Sequence, residues 1–294
     1  MAKGEIENKG LIPGYSRLEE ARKRREENKL GTNKFSFGDP IVDDYLGGGW
    51  GRVNGYELIC IFGDTGMNKS TFISQMAISA ARRGSSVAYL ALEDEIEDVV
   101  DRVDRQIVGS VGGLAKENEA KEILQKIHFL PENDGYTLES LATFIEQLFN
   151  VYDVVFVDPI QFVFEASIVD KGETEWNRQR VFMRKLNNIM KKNSKEGKVL
   201  VFVSHTNKGG NFRDRSEMGM QKLQGSGAIQ QICTKVIEIG RTNKGIRSIR
   251  LWKTRFTRYR RHGLSISLDD ASMRIGFDST GLTQAQIQEM KENW

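Results

Sequence analysis

The sequence predicts an α/β fold: a mostly parallel, twisted sheet with helices on both faces and antiparallel strands at its C-terminal end. Three observations predict it. Short apolar runs that end in turns alternate with segments of helical periodicity between residues 57 and 206, the pattern of strands joined by crossover helices. Between the first run and the first helix stands GDTGMNKST (63–71), one residue away from a glycine-rich phosphate loop. Three further strand-like segments, 235–241, 248–256 and 264–270, follow one another with short turns, the spacing of antiparallel neighbours.

Each element has its own reason. ELICIFG (57–63) is apolar throughout and stops at a turn, as a buried strand does. TFISQMAISAARRG (71–84) puts Phe72, Ile73, Met76, Ala77 and Ala80 on one face, with arginines late and Gly84 as the stop. SVAYLALE (86–93) is a second strand, and KIHFLPE (126–132), after a helical stretch, a shorter one. LESLATFIEQLFNVY (138–152) reads as a helix and DVVFVDPIQFV (153–163) as a strand; 174–193 and KVLVFVSHT (198–206) repeat the pair. The chain thus divides into an arm (1–34), one domain (35–278) and a tail (279–294). Within the arm, LEEARKRREENK has helix-forming composition, with Glu19 and Glu20 four residues before Lys23 and Arg24. It lacks a broad apolar stripe, so it is either a solvated helix or one that docks on another surface.

Composition narrows the class. Of 294 residues, 39% are hydrophobic and 28% charged, which fits a soluble globular protein with a real core. No run of 18 apolar residues offers a membrane span, and the polar MAKGEIENKG start has no secretory character. Cytoplasmic residence and no membrane partner are expected. Cys60 and Cys233 lie inside apolar runs and are expected as buried thiols, and no zinc spacing is present. The net charge of +3 is too small to name a partner, but KTRFTRYRRH (253–262) concentrates basic residues with aromatics between them.

The chemistry gathers at strand ends. In the loop made by Gly63, Asp64, Thr65, Gly66, Met67, Asn68, Lys69, Ser70 and Thr71, backbone N–H groups and a helix N-terminus would cradle phosphates. Lys69 would reach the β- and γ-phosphates and Ser70 would ligate Mg²⁺. Asn68 stands where the pattern has glycine; asparagine is among the residues most tolerant of positive φ, so it can hold the turn at some cost. Asp158 ends a buried strand at the edge where open α/β sheets bind ligands, placed to hold Mg²⁺ through water. Glu93 ends another, where a carboxylate could activate water; Asp94, Glu95 and Glu97 follow at a solvated helix start, and position alone leaves the choice among the four acids open. His205 ends a third, where it would sense the γ-phosphate. The long glycine-rich loop 206–227, with Lys208, Arg213, Arg215 and Lys222, has the composition for contact with a nucleic-acid backbone. Lys253 and Arg255, at alternate positions of one strand, point to one face. They would stabilise transition-state charge if that face met a neighbouring subunit's nucleotide.

Taken in order, FGDPIVDDYLGGGWGRVNGYELICIFGDTGMNKSTF, ALED, VVFVDPIQFV, VFVSHTNKGG, LQGSGAIQQICTKVIEIGR and KTRFT resemble the helicase domain of hexameric replicative DNA helicases. These are the DnaB-type enzymes and their phage and mitochondrial primase-helicase relatives. The resemblance covers roughly 35–278 and implies a RecA-like P-loop NTPase core. It implies Lys69 and Ser70 as the phosphate-loop pair, Glu93 as the catalytic glutamate, Asp158 on the Mg²⁺ side and His205 as phosphate sensor. Lys253 and Arg255 match the pair acting in trans, and Gln231 and Arg241 fall at positions that couple to the nucleotide. Lys208 to Arg215 with Gln224, Gly225 and Ser226 match segments lining a central channel. The family's glycine is replaced by Asn68, and too few residues precede the core for an intrinsic primase.

The resemblance therefore implies an ATP-dependent replicative helicase, with ATP or another NTP or dNTP and Mg²⁺. Its implied partners are single-stranded DNA, further copies of itself in a hexameric ring, and a separate primase or polymerase; the implied place is the cytoplasm, a host's if a bacteriophage encodes the chain. A filament-forming recombinase and a weakly hydrolysing, nucleotide-gated DNA-binding or loading factor are the alternatives. GSGAIQQ followed by K-x-R argues against the first, and Asn68 is the feature that favours the second.

Overall fold

A computed structural model describes residues 18–19, 22–23, 33–109, 114–130, 136–161, 175–206, 223, 226–242, 245–255, 263–280, 282–284 and 288. The strands are β1 (Asn33–Phe35), β2 (Trp50–Arg52), β3 (Glu57–Gly63), β4 (Val87–Ala91), β5 (Ile127–Leu130), β6 (Val154–Asp158), β7 (Val199–His205), β8 (Lys235–Arg241), β9 (Arg247–Thr254), β10 (Leu264–Asp269) and β11 (Arg274–Phe277). The helices are α1 (Pro40–Tyr45), α2 (Lys69–Arg82), α3 (Ile96–Val108), α4 (Leu114–Leu124), α5 (Leu138–Leu148), α6 (Glu175–Lys192) and α7 (Ser226–Ile232). Strands β3 to β11 form one nine-stranded sheet in the order β11-β10-β9-β8-β3-β7-β6-β4-β5. Pairings from β8 through β3, β7, β6 and β4 to β5 are parallel, and those among β8, β9, β10 and β11 antiparallel. The expected architecture is therefore present, antiparallel end included.

Strand periodicity sorts the core into two layers. Successive side chains of a strand point to opposite faces. Ile59 and Ile61, Tyr89 and Ala91, Val154 and Phe156, and Val199, Val201 and Val203 pack on one face with α1, α2, α3 and α4. Leu58, Cys60 and Phe62, Ala88 and Leu90, Val155 and Val157, and Leu200 and Phe202 pack on the other with α5, α6 and α7. Both faces are covered, which is why these strands read as unbroken apolar runs. Both cysteines are free thiols buried in the second layer, and burial pushes each upward in pKa.

The expected elements shift in three informative ways. The first long helix starts at Lys69 rather than at Thr71, so the loop's lysine and serine are its first two residues. The strand expected over 153–163 stops at Asp158, followed by Pro159, which has no N–H to give a ladder. The strand expected over 248–256 ends at Thr254, with Arg255 in the bend beyond.

The N-terminal segment is tied to the sheet by a buried ion pair. Lys235 Nζ lies 3.5 Å from Glu57 Oε1, with the two side chains 3% and 2% exposed. Glu57 Oε2 also accepts from the Gly51 N–H at 2.6 Å, and Lys235 donates to the Gly49 carbonyl at 2.8 Å. The glycine turn 47–49 is thereby fastened to the first residues of two central strands. Of the arm, residues 18–19 and 22–23 are helical; the rest of the LEEARKRREENK stretch (18–29) lies outside the described residues. So do Lys208, Arg213, Arg215, Lys222, Gln224 and Gly225. No helix among the described residues is long and apolar enough to cross a membrane.

Candidate active site

Four neighbouring parallel strands, β3, β7, β6 and β4, bring their C-terminal ends to one edge of the sheet. The phosphate loop leaves β3 there. Gly63 faces Ile239 on β8 so closely that a Cβ would sit 2.0 Å from the Ile239 carbonyl oxygen, which no other residue type avoids without backbone movement. Gly66 turns at φ +78° with open space around it. Asn68 adopts φ 66° and ψ 35°, the left-handed conformation a glycine would supply. It is the N-cap of α2, yet its side chain makes no capping hydrogen bond, and its Oδ1 is buried without a partner among the described residues.

The first N–H groups of a helix have no intrahelical acceptor. An N-cap that leaves them uncapped suits an anion, and the helix dipole adds to the attraction. Lys69 is buried to 6% exposure, and its Nζ donates to the Asp64 carbonyl at 3.0 Å. Burial lowers its pKa, against the opposing pull of Asp158, Glu93 and Asp64. The amine is thus held over the loop with three acidic side chains around it.

Asp158, 6% exposed, accepts hydrogen bonds from the hydroxyls of Ser70 and Tyr89. Burial raises its pKa to about 6, and nearby Asp94 pushes the same way; Ser70, Tyr89 and Arg102 pull against them. A buried carboxylate beside a hydroxyl offers the hard oxygens that Mg²⁺ prefers, the remaining positions being left to water and phosphate. A cation there would offset the burial that raises the Asp158 carboxyl, so the donor set fits the ion. Glu93 lies two residues beyond β4, and its Oε2 is 3.7 Å from His205 Nε2 at the end of β7. The next residue, Thr206, donates through its hydroxyl to Asp64. Thr206 also bridges Leu223, antiparallel. Both feet of the long basic loop therefore meet at this edge.

The other basic residues lie elsewhere. Lys253 donates to the carbonyls of Gln230 and of Gln231, the latter at 3.1 Å. Arg255 donates to those of Gln231 at 2.6 Å and Ile232 at 3.3 Å. Both cations cap the C-terminus of α7, where the dipole favours them. The Arg255 N–H bonds Thr234 and the Thr234 N–H bonds Leu58, so Arg255 is level with Leu58. That places it about 17 Å along the strand from Gly63, at ~3.3 Å per residue. Gln231 shares this opposite edge. Arg241, at the C-terminal end of β8, stands on the phosphate-loop side and donates to the Gly245 carbonyl at 2.9 Å. Ser226 opens α7.

Three features escaped the sequence reading. A register shift between Val236 and Ile237 makes Trp252 the extra residue of a bulge just before Lys253, and bulges re-aim the side chains next to them. Tyr89 and Arg102 reach the carboxylates from behind. Tyr89 carried a usable signal: a phenol inside an otherwise apolar strand must find a partner once buried.

Residues 38–279 match the family model described as "ATPase: KaiC". The DNA helicase/primase of Enterobacteria phage T3 is 26% identical over 239 residues, spanning 70% of this chain but 39% of that relative. The ATPase domain of G40P superposes with a TM-score of 0.67 at 13% identity, covering 90% of this chain and 99% of that one. The KaiC-like protein PH0186 of Pyrococcus horikoshii OT3 gives 0.58 at 19%, covering 82% and 97%.

Proposed function

The chain belongs to the KaiC family of ATPases, and from that premise we propose that it is an ATP-driven helicase motor working as a hexameric ring on single-stranded DNA. The separation of its two charged edges carries this reading. Lys69, Ser70, Asp158, Glu93 and His205 meet at the C-terminal edge of the sheet, while Lys253 and Arg255 sit at the opposite edge of the same sheet. A nucleotide held by one protomer is out of reach of that protomer's own pair. A second copy, with its β9 edge against the first copy's phosphate loop, completes the site.

In this reading the loop N–H groups and Lys69 bind the β- and γ-phosphates, and Ser70 and Asp158 hold Mg²⁺. When bound, the ion neutralises charge on the transferred phosphoryl group. Glu93 orients a water molecule against the γ-phosphorus and takes its proton as the new P–O bond forms. The bond from that phosphorus to the β-phosphate oxygen breaks, leaving ADP and inorganic phosphate. Arg255 and Lys253 of the neighbouring copy meet the charge that develops. His205, against Glu93 and one residue before Thr206, connects the phosphate to the basic loop, whose Lys208, Arg213, Arg215, Lys222, Gln224, Gly225 and Ser226 would hold the DNA backbone. Backbone contacts carry no sequence preference.

The T3 relative's description as a DNA helicase/primase supports the helicase reading. The left-handed Asn68 preserves the glycine-like turn, which favours a hydrolysing enzyme over a nucleotide-gated switch. Phosphate release with and without single-stranded DNA is the test, followed by unwinding of a forked duplex. DNA-stimulated turnover with unwinding is expected. Turnover without unwinding, on filaments seen by electron microscopy, would favour the recombinase; ATP binding without turnover would favour the loading factor.

A further inference from the structure

We propose that Tyr89 and Arg102 are positioning residues for the nucleotide site, Tyr89 fixing the Asp158 carboxylate and Arg102 fixing, through Asp94, the turn that carries Glu93. This inference rests on the functional reading above. Neither residue touches the nucleotide's expected place, and neither belongs to a sequence motif of the phosphate loop.

The Tyr89 hydroxyl donates to Asp158 Oδ2 at 2.9 Å across two adjacent strands. Its ring is fully buried, stacked at 5.7 Å on Phe156 and tilted at 5.8 Å against Phe129. Those two are its register partners on β6 and β5. A ring clamped on both sides has one place for its hydroxyl, so the carboxylate that accepts from it is held in one rotation. Ser70 bonds the same carboxylate from the loop side. Asp158 is thus oriented by one group from the sheet and one from α2.

Arg102 lies on α3, 14% exposed, with NH2 at 2.6 Å from Asp94 Oδ2. Asp94 follows Glu93 directly. The same turn is fastened by the Leu92 N–H to the Asp158 carbonyl at 2.8 Å. The Glu93 turn therefore has two anchors: one to the strand of the metal-side carboxylate and one to α3. NH1 of Arg102 is buried with no hydrogen-bond partner among the described residues. Leaving a charged donor unsatisfied costs stability, and a single short ion pair keeps it there. Tyr89, Asp94 and Asp158 all act electrostatically on the same guanidinium, so its positive charge couples the Glu93 turn, through Asp94, to Asp158.

The test uses the full chain carrying Tyr89→Phe, Arg102→Gln or Arg102→Lys. Binding of Mn²⁺ with a non-hydrolysable ATP analogue is followed by electron paramagnetic resonance, and binding of a fluorescent ADP is measured in EDTA. Loss of a second-layer partner weakens metal binding by about 10-fold or more. Tyr89→Phe is therefore expected to weaken Mn²⁺ by about that factor while leaving metal-free ADP affinity and the melting temperature near wild type. Arg102→Gln is expected to lower kcat by about 10-fold at unchanged KM, a loss of orientation rather than of binding, with Arg102→Lys recovering part of it. Wild-type Mn²⁺ affinity in Tyr89→Phe, or a fall in ADP affinity that is equal with and without metal, overturns the role of Tyr89. A rise in KM with unchanged kcat in Arg102→Gln overturns that of Arg102. If the wild-type protein binds neither nucleotide nor Mn²⁺, the functional reading itself fails, and this inference with it.

Discussion

The two edges of the sheet are built in opposite ways. At the C-terminal edge the charged groups are already gathered: Lys69 is buried over the loop, Asp158 is bonded from two sides, and Glu93 faces His205. At the other edge Lys253 and Arg255 are turned onto carbonyls of their own α7. One edge is assembled within the chain itself; at the other the cations are engaged with a helix end. Helix α7 joins them, since it begins three residues after Leu223, at the foot of the basic loop, and ends under Lys253 and Arg255. For the cations to act on a neighbour's phosphate they must leave those carbonyls or share them. If copies assemble as proposed, the difference teaches where to expect rearrangement: at α7 and the end of β9, not at the phosphate loop.

The largest expected effect tests that division. Arg255→Ala should lower turnover by about 10³-fold, the scale of a lost transition-state arginine, with nucleotide affinity of the isolated protomer unchanged. Lys69→Ala should abolish turnover through the opposite edge. Mixing the two inactive variants then separates the arrangements. Where an Arg255→Ala protomer's intact loop meets a Lys69→Ala protomer's intact arginine, a complete site forms and activity returns. Absence of any recovery across mixing ratios, with mixed assemblies verified, would mean that the two edges do not meet.

Next in size is Glu93→Gln, which should cost about 10²-fold or more in kcat, the range of a general base, while ATP binding persists. Its partner gives a graded control. His205→Asn should cost less than Glu93→Gln in turnover but should reduce the stimulation by DNA, because His205 adjoins the foot of the loop at Thr206. Single-turnover phosphate release with and without DNA reads both quantities.

Much of this contrast was legible in the sequence, and the illegible parts have physical reasons. Apolar runs revealed the central strands because both sheet faces are covered, and the loop was legible because its spacing is tied to a backbone shape. Strand ends gave Asp158, Glu93 and His205 positions at one edge before any coordinate. Glu57 and Lys235 were not legible as a pair: charged side chains read as solvated unless their partner, far away in sequence, is known. The β1–β2 ribbon and β11 are three- and four-residue strands, too short for periodicity to register. The docking of Lys253 and Arg255 on α7 depends on a bulge, which inserts one residue without any fixed sequence signature. Arg102 meets Asp94 eight positions away, across a turn and two helical turns, a spacing no local rule marks.

The charge state of Asp158 offers a smaller effect with a definite sign. Its carboxyl titrates at about 6 in the folded protein, raised from 3.8 chiefly by burial. Between these two values the native state holds a proton that the unfolded chain has released. The contribution to stability is therefore whole below the unfolded value and lost as pH rises through about 6. A shift of about two units is worth at most ~3 kcal/mol. Asp158→Asn, neutral at every pH, should accordingly stabilise the metal-free protein by up to that amount at pH 8 and by little at pH 4. Urea denaturation in EDTA at both pH values measures it. The same variant should lose Mg²⁺-dependent nucleotide binding, a gain in stability against a loss of function. A stability difference that is flat with pH would show that Asp158 does not titrate in this way.

The smallest effect concerns the one residue that departs from the loop pattern. Asn68 occupies the left-handed region at φ 66°, where most side chains cost roughly 1 kcal/mol or more and asparagine less. Alanine lacks the short polar side chain that eases this conformation, so Asn68→Ala should destabilise the protein by ~1 kcal/mol. Glycine fits the backbone freely but loses more entropy on folding, so Asn68→Gly should leave stability within about 0.5 kcal/mol of wild type. The kinetic outcome is the sharper one. Since the turn already has the shape glycine would give it, and among the described residues the Asn68 Oδ1 makes no hydrogen bond that glycine would remove, turnover of Asn68→Gly should stay within a few-fold of wild type. A large rise in kcat would mean that the buried amide acts as a brake on a loop whose geometry is otherwise complete. The assembled edge would then be restrained by its own N-cap, as the opposite edge is restrained by α7.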